Sequence, residues 1–304
     1  MRLPGSSLAL AVPLCLLAQD ATFSTEVKVV TLFASVRDRD GNIIKDLDKD
    51  DFELREDGRK QTIQYFSQES NLPLILGLLV DTSRSMRTVF APERAASKVF
   101  FEQVLREDRD QAFVMHFDIQ VGVLQELTNS REKLAEGLDQ LRIPKRPATK
   151  LYDAIKTASE DIMRSQNGRK AFVLLSDGMD VRSRTTIGTA IEYAQRADTM
   201  IYTVLFDHRP LGGKGLNIAI GPSPRRGPKT MARLARETGG GFFTVSEDNP
   251  IDKIYAQIED ELRHQYSIGY TSDRRESNGK YRKITLTAKR NGVIVRTRDG
   301  YYPK

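Results

Sequence analysis

Hydrophobic and polar positions divide the chain into three stretches with different periodicities. Residues 27–32 alternate with a two-residue period, which is typical of a β-strand. The dipeptides Asp40-Gly41 and Asp57-Gly58 are typical of tight hairpin turns, because such turns need a backbone conformation that glycine adopts easily. The stretch from residue 22 to about residue 67 is therefore predicted to form three or four short strands.

The central stretch alternates strand-like and helix-like segments. Residues 74–80 form a nearly continuous apolar run, as expected of a strand that is buried on both faces. The predicted strands cover residues 74–80, 112–117, 121–127, 171–175, 200–206 and 242–245. The predicted helices cover residues 92–105, 131–141, 151–163, 187–197, 229–238 and 250–264.

This alternation predicts the α/β class, with a doubly wound, mostly parallel sheet covered by helices on both faces. The segment between residues 112–117 and 121–127 is too short for a crossover connection. These two strands are therefore predicted to form an antiparallel hairpin at one edge of the sheet.

The C-terminal stretch again has the pattern of β-strands, at residues 266–270, 281–289 and 293–297. Neither flanking stretch is large enough to bury a core alone, so we predict that both join into one small β-sandwich beside the central domain. The predicted organisation is a signal peptide (1–18), an N-terminal β segment (19–70), the α/β domain (71–264) and a C-terminal β segment (265–304) that packs with the N-terminal one.

The N-terminus has the layout of a secretory signal peptide, with Arg2 before an apolar run at residues 8–18 and a plausible cut after Ala18. The alternative is a buried N-terminal helix or strand. The apolar run is too short to span a bilayer, and no other stretch is predicted to do so. The only cysteine, Cys15, lies inside the run, so the mature chain would form no disulfide. We expect a secreted or periplasmic cell-envelope protein without membrane insertion after cleavage.

Composition adds little to this picture. The chain has 39% hydrophobic and 29% charged residues, which is ordinary for a globular protein. The formal net charge of +6 comes from Lys and Arg scattered among nearly as many Asp and Glu. A mixed, solvated surface explains such a charge better than a nucleic-acid partner does, so no nucleic acid is expected.

Candidate chemistry lies at the ends of two predicted buried strands. The first strand ends in Asp81, and Ser83 and Ser85 follow at alternate positions, so that their side chains can converge. A later buried strand ends in Ser176-Asp177-Gly178, and Thr149 precedes a predicted helix. Sites in open α/β sheets form at the carboxyl ends of strands, and hard cations such as Mg²⁺ prefer oxygen ligands.

The same residue types also occur in purely structural roles. Asp81 alone could be a helix cap or a turn residue. The run Asp46-x-Asp48-x-Asp50 resembles the start of a calcium loop, but Asp51 stands where glycine is needed, so an acidic turn is predicted. The sequence contains no zinc motif, phosphate loop or nucleophile–base–orienter trio.

The order Asp-x-Ser-x-Ser, then Thr149, then Ser-Asp-Gly resembles the metal-ion-dependent adhesion site of von Willebrand factor A domains. The flanks, with Asp50 to Gly58 before the domain and Tyr266 to Tyr270 and Gly300 to Tyr302 after it, are similar to a bacterial "VWFA-related" subfamily often seen in acidobacteria. One departure is Pro147-Ala148, where many relatives have two glycines.

This resemblance implies a ligand set and a function. Ser83 and Ser85 would ligate the metal directly, Asp81 and Asp177 directly or through water, and Thr149 in the ligand-competent form. The expected metal is Mg²⁺, although Mn²⁺ and Ca²⁺ suit the same oxygens. The open coordination position would take an acidic side chain from a protein partner.

The predicted function is an exported, metal-dependent protein-binding or adhesion module and not an enzyme. The alternatives are a metal-dependent hydrolase or enzyme subunit, or a structural envelope protein. The neighbouring Lys145, Arg146 and Lys150 could steer an acidic partner, or could simply belong to a solvated loop. The sequence leaves the oligomeric state open.

Overall fold

The computed structural model describes residues 29–68, 72–206, 226–274 and 279–303. The predicted signal peptide and most of the glycine- and arginine-rich segment 212–228 lie outside these residues. The strands are β1 (Val29–Arg37), β2 (Phe52–Glu56), β3 (Arg59–Gln61), β4 (Tyr65–Ser67), β5 (Leu74–Asp81), β6 (Gln111–Phe117), β7 (Val121–Thr128), β8 (Arg169–Ser176), β9 (Thr199–Phe206), β10 (Phe242–Val245), β11 (Tyr266–Thr271), β12 (Arg282–Ala288), β13 (Ile294–Arg296) and β14 (Gly300–Tyr301). The α-helices are α1 (Phe90–Val104), α2 (Arg131–Asp139), α3 (Leu151–Thr157), α4 (Ile187–Arg196), α5 (Arg226–Thr238) and α6 (Ile251–Arg263).

The central sheet has six strands in the order β10-β9-β8-β5-β6-β7. All neighbouring pairs are parallel except β6 and β7, which form an antiparallel edge hairpin. The predicted doubly wound, mostly parallel sheet with one antiparallel edge is therefore confirmed.

Strand β5 occupies the middle of this sheet, and every one of its residues is buried. Leu76 and Leu78 face a core formed with α1, α2 and α6, whereas Ile75 and Leu79 face a second core formed with α3, α4 and α5. Each buried leucine or isoleucine stabilises the fold by roughly 1.5–3 kcal/mol relative to an exposed one. The continuous apolar run of β5 follows from this burial on two faces.

Strands from both flanks of the central domain form two four-stranded antiparallel sheets, in the orders β13-β1-β11-β4 and β14-β12-β2-β3. Leu32 of β1, Leu54 of β2, Ile268 of β11 and Leu286 of β12 share one hydrophobic core. The predicted flanking sandwich is present, and we call these two sheets the β module. The boundaries at residues 70 and 264 stay predictions.

Buried charges join the β module to the central domain. Glu261 of α6 is fully buried, and one of its carboxylate oxygens lies 2.5 Å from Arg37 Nε of β1 and 2.7 Å from Arg296 of β13. Arg169, at the start of β8, donates hydrogen bonds to the carbonyls of Leu72 and Leu262. Arg169 thus links the segment before β5 to the C-terminal end of α6.

Residues 151–163 are helical as predicted, but they do not form one regular α-helix. Helix α3 ends at Thr157, a π-helical turn follows from Ala158 to Ile162, and a 3₁₀ turn ends at Ser165. The hydroxyl of Ser159 donates to the Ile155 carbonyl at 2.7 Å, a contact that bends helices. None of the described helices has the length and apolar character needed to cross a bilayer.

Candidate metal centre

Asp81 is the last residue of the central strand β5, and its carboxylate is fixed by its neighbours. One oxygen accepts a hydrogen bond from the Ser83 backbone N–H at 2.8 Å, and the other accepts from the Ser176 hydroxyl at 2.6 Å. Because Ser176 ends β8, the carboxylate joins two adjacent strand ends. Asp81 is fully buried at the carboxyl edge of the sheet.

The two serine hydroxyls after Asp81 converge. The Oγ atoms of Ser83 and Ser85 lie 3.0 Å apart. Ser83 is buried and Ser85 is exposed, so the pair extends from the interior to solvent. The short 3₁₀ turn that follows, Arg84–Thr88, is anchored by the fully buried Met86. Ser83 lies at the N-cap of this turn and Ser85 within it, so the turn fixes the backbone that carries both hydroxyls.

Asp177 lies close enough to Asp81 for the two negative charges to repel each other. Burial, followed by the charge of Asp177, raises the pKa of Asp81 to about 7. No described Lys, Arg or His forms an ion pair with either carboxylate. Two carboxylates without a counter-charge, beside two hydroxyls, form an all-oxygen site suited to a hard divalent cation.

The loop that carries Asp177 is shaped by close backbone packing. Gly178 has a φ of +75°, and a Cβ there would lie 2.5 Å from the Gly227 carbonyl oxygen at the start of α5. The Met179 N–H donates to Oδ1 of Asp177 at 2.9 Å. The other oxygen of Asp177 accepts no hydrogen bond from the described residues, so it is free to meet a ligand.

Thr149 lies at the same edge but is not hydrogen-bonded to the other four predicted ligands. Its carbonyl accepts from the N–H groups of Val181 at 3.0 Å and Arg182 at 3.3 Å, so it packs against the loop after β8. At the two positions where many relatives have glycine, Pro147 is exposed and Ala148 is buried. The structure therefore brings Asp81, Ser83, Ser85 and Asp177 together and places Thr149 on an adjoining loop.

The acidic run near the N-terminus uses its carboxylates for other contacts. Asp48 caps a 3₁₀ turn by accepting from the N–H groups of Asp50 and Asp51, and Asp46 pairs with Arg290 at 2.7 Å. Within the described ranges, no three His, Cys, Asp or Glu side chains group closely enough to hold a metal. A cation site in the described ranges would therefore need hydroxyl, carbonyl or water oxygens besides its carboxylates.

Asp118 is a site residue that the sequence pattern did not single out. Its carboxylate accepts from the buried Thr82 hydroxyl at 2.6 Å, and its carbonyl accepts from the Lys150 N–H at 3.1 Å. Asp118 thus ties the loop of Ser83 to the loop of Thr149. It directly follows β6, so the strand-end argument that found Asp81 would also have found it.

Glu93 is a second residue that the sequence pattern did not single out. It lies on α1, is only 2% exposed, and neither of its carboxylate oxygens has a hydrogen-bond partner in the part of the chain that the structure describes. Burial, followed by the charge of Asp81, raises its pKa well above the usual value. Its position on the apolar face of α1, beside Ala96 and Phe100, could have identified Glu93 from the sequence.

We expect Thr82→Val to weaken Mg²⁺ binding about tenfold, because the valine cannot hold Asp118 and the loop loses its anchor. The matched control is Thr203→Val, which removes a buried hydroxyl that donates to the Met231 carbonyl on the same sheet. Both variants should lose about 1 kcal/mol of unfolding free energy, but only the first should change calorimetric Mg²⁺ affinity. Equal affinities in the two variants would contradict this role.

Comparisons with known proteins identify the fold of the central domain. A family model described as the von Willebrand factor type A domain matches residues 76–179, a stretch that contains all five predicted ligands. No curated protein matches the sequence.

Three solved structures have a similar fold. Proximal thread matrix protein 1 from the mussel byssus is 14% identical, with 68% of this chain and 51% of that chain covered and a TM-score of 0.52. The same mussel protein with a zinc-occupied MIDAS motif is 14% identical, with 69% and 50% covered and a TM-score of 0.51. A von Willebrand factor type A protein from Catenulispora acidiphila is 12% identical, with 83% and 73% covered and a TM-score of 0.51. This chain spans about half the length of the mussel protein, and at these identities the likeness is one of fold.

Proposed function

We propose that this chain, which contains a von Willebrand factor type A domain, is a non-enzymatic, metal-dependent module that binds a protein partner. In this proposal a divalent cation, Mg²⁺ in the first place, is held by Asp81, Ser83, Ser85, Thr149 and Asp177. The observation that carries the proposal is the buried carboxylate of Asp81, which is repelled by Asp177 and has no neutralising side chain among the described residues. The zinc found in the MIDAS motif of the mussel protein supports a metal at this place in the fold.

The described residues of the site differ in their exposure to a partner. Ser85 is exposed and Asp177 is half-buried, whereas Asp81 and Ser83 close the inner side. A bound cation would neutralise the two carboxylates and offer an exchangeable position to a carboxylate oxygen of the partner. Thr149, on its adjoining loop, would approach once that oxygen is in place. The signal-peptide pattern supports an exported location.

The geometry does not favour a hydrolase. His116 Nδ1 lies 3.3 Å from Asp118 and 3.4 Å from the Thr82 hydroxyl, a grouping similar in composition to a nucleophile–base–acid trio. However, Thr82 is fully buried and its hydroxyl donates to Asp118, so a substrate has no access to it. We therefore propose that these three residues position the metal loops.

Calorimetric titration of Mg²⁺ and Mn²⁺ into the metal-stripped full chain tests the site. Saturable binding is expected, and Ser85→Ala should weaken it at least about tenfold because water replaces the hydroxyl ligand. Ser165→Ala, an exposed serine remote from the sheet edge, is the matched control. Absence of saturable binding, or equal binding by Ser85→Ala, would refute the metal site.

Carboxylate binding is tested with Mn²⁺, whose bound water enhances proton relaxation. A peptide with a single aspartate should lower the relaxation enhancement, because its carboxylate displaces water from the cation. The same peptide with asparagine should not. If both peptides act alike, the proposed ligand chemistry is wrong even where the metal binds.

A further inference from the structure

Exposed basic side chains lie on the loops that carry the proposed metal site. They come from the three loops that carry the predicted ligands: the loop after β5, the loop before α3 and the loop after β8. We call this set the basic rim, and all of its members are exposed: Arg84, Arg87, Lys145, Arg146, Arg182 and Arg184.

The side chains of the basic rim have no anionic partner among the described residues. None of them forms an ion pair or a side-chain hydrogen bond there. Exposed arginines elsewhere do pair, as Arg55 does with Glu53 at 2.7 Å and Arg109 with Asp108 at 2.8 Å. Residues 82–89, 143–150 and 178–186 together contain seven cationic side chains and one anionic side chain, that of Asp180. Such a concentration of unneutralised positive charge favours an anion that comes from outside the chain.

The loop after β8 is held rigidly enough to present its two arginines. The carboxylate of Asp153 accepts from the backbone N–H groups of Arg184 and Thr185 at about 3 Å, and the Thr149 carbonyl accepts from Arg182 N–H. The backbone at this rim is therefore fixed while the guanidinium groups remain free. Fixed arginines bind carboxylates in a bidentate geometry that lysine does not offer.

We propose that the partner is a protein segment rich in Asp and Glu, which places one carboxylate on the cation and further carboxylates on the basic rim. This inference rests on the proposed function. Val181, between Asp180 and Arg182, is 60% exposed. Apolar surface among the arginines suits peptide side chains better than a uniformly polar polysaccharide. Residues 82–89, 143–150 and 178–186 contain no aromatic residue on which nucleic-acid bases could stack.

The test uses the full chain with saturating Mg²⁺ and a labelled peptide rich in glutamate. We expect the double variant Arg146→Gln/Arg182→Gln to bind this peptide about tenfold more weakly at low salt. The loss should disappear at high salt, because exposed charges are then screened. The version of the peptide with a single glutamate should bind both proteins equally. The matched control is Arg39→Gln/Lys60→Gln, which removes two exposed charges from the β module and should have no effect.

Each other outcome overturns a defined part of the inference. Equal binding of the glutamate-rich peptide by the double variant and the wild type would exclude the basic rim. Equal binding of the glutamate-rich peptide with and without Mg²⁺ would exclude a partner that contacts both the cation and the basic rim. Tighter binding of polygalacturonate or single-stranded DNA would assign a different class of partner. A parallel Mg²⁺ titration distinguishes these outcomes from failure of the proposed metal site. If the metal site were wrong, this titration would show no cation binding.

Discussion

Asp81→Asn is expected to weaken Mg²⁺ binding by at least about a hundredfold while making the metal-free protein more stable at neutral pH. Asparagine can keep the contact with the Ser83 N–H and remain within reach of the Ser176 hydroxyl, so the loop should keep its shape. The negative charge that attracts the cation is lost. The same charge, fully buried and facing Asp177, is unfavourable when no cation is present.

The matched control for this variant is Asp110→Asn. Asp110 is also a buried aspartate, but it accepts from the N–H groups of Leu74 and Arg106 at the opposite edge of the sheet. Its substitution should lower stability and leave Mg²⁺ affinity unchanged. Calorimetry and urea unfolding measure the two quantities. A destabilised Asp81→Asn protein would show that the carboxylate supports the fold even without a cation.

Stability of the metal-free protein is expected to fall as the pH rises through the range from about 4 to about 7. Asp81 titrates near its ordinary value of 3.8 in the unfolded chain and at about 7 in the folded chain, so its pKa is raised by folding. Between these values the folded state holds a proton that the unfolded state has released, so each increase in pH favours unfolding. The stabilising contribution is complete below the unfolded pKa and is lost above the folded one, at most about 4 kcal/mol. Glu93, whose pKa is also raised, acts in the same direction.

Urea unfolding at pH 5 and pH 8, with and without Mg²⁺, measures this effect. Mg²⁺ should restore stability at pH 8 and have little effect at pH 5, where protons compete with the cation. Asp81→Asn and Glu93→Gln should each flatten the pH dependence of the metal-free protein, since neither side chain titrates. A metal-free protein that gains stability from pH 5 to pH 8 would contradict the buried-carboxylate account.

The sequence predicted the fold well where the pattern depends on burial. Strand β5 was found because both of its faces are covered, and the turn at Asp57-Gly58 because both residues adopt positive φ. The edge hairpin of β6 and β7 followed from the length of its connection. The break in α3 was missed, because a helical apolar period continues through the turn that Ser159 distorts.

The candidate site could be predicted only in part. Asp81, Ser83 and Ser85 are close in sequence, so their convergence follows from local geometry. The positions of Asp177 and Thr149 depend on how distant loops pack, and among the described residues Thr149 has no hydrogen bond to the other four. Glu93 was missed because the helical pattern of α1 shows only that this position faces the core. It does not show that the charge of Asp81, distant in sequence, acts on it.

The central domain interrupts the β module along the chain, and this arrangement determines the order of folding events. Tyr270 and Glu56, which share a hydrogen bond, are 214 residues apart, so the strands of residues 29–67 must wait for partners that follow the entire insert. An insert that folds first brings its own ends together, as Arg169 does by binding both Leu72 and Leu262. Pairing the flanking strands then resembles closing a loop of about ten residues instead of about two hundred. This difference lowers the entropic cost of loop closure by about 2–3 kcal/mol. Rapid folding of the insert therefore shortens the time for which unpaired β-strands remain open to aggregation.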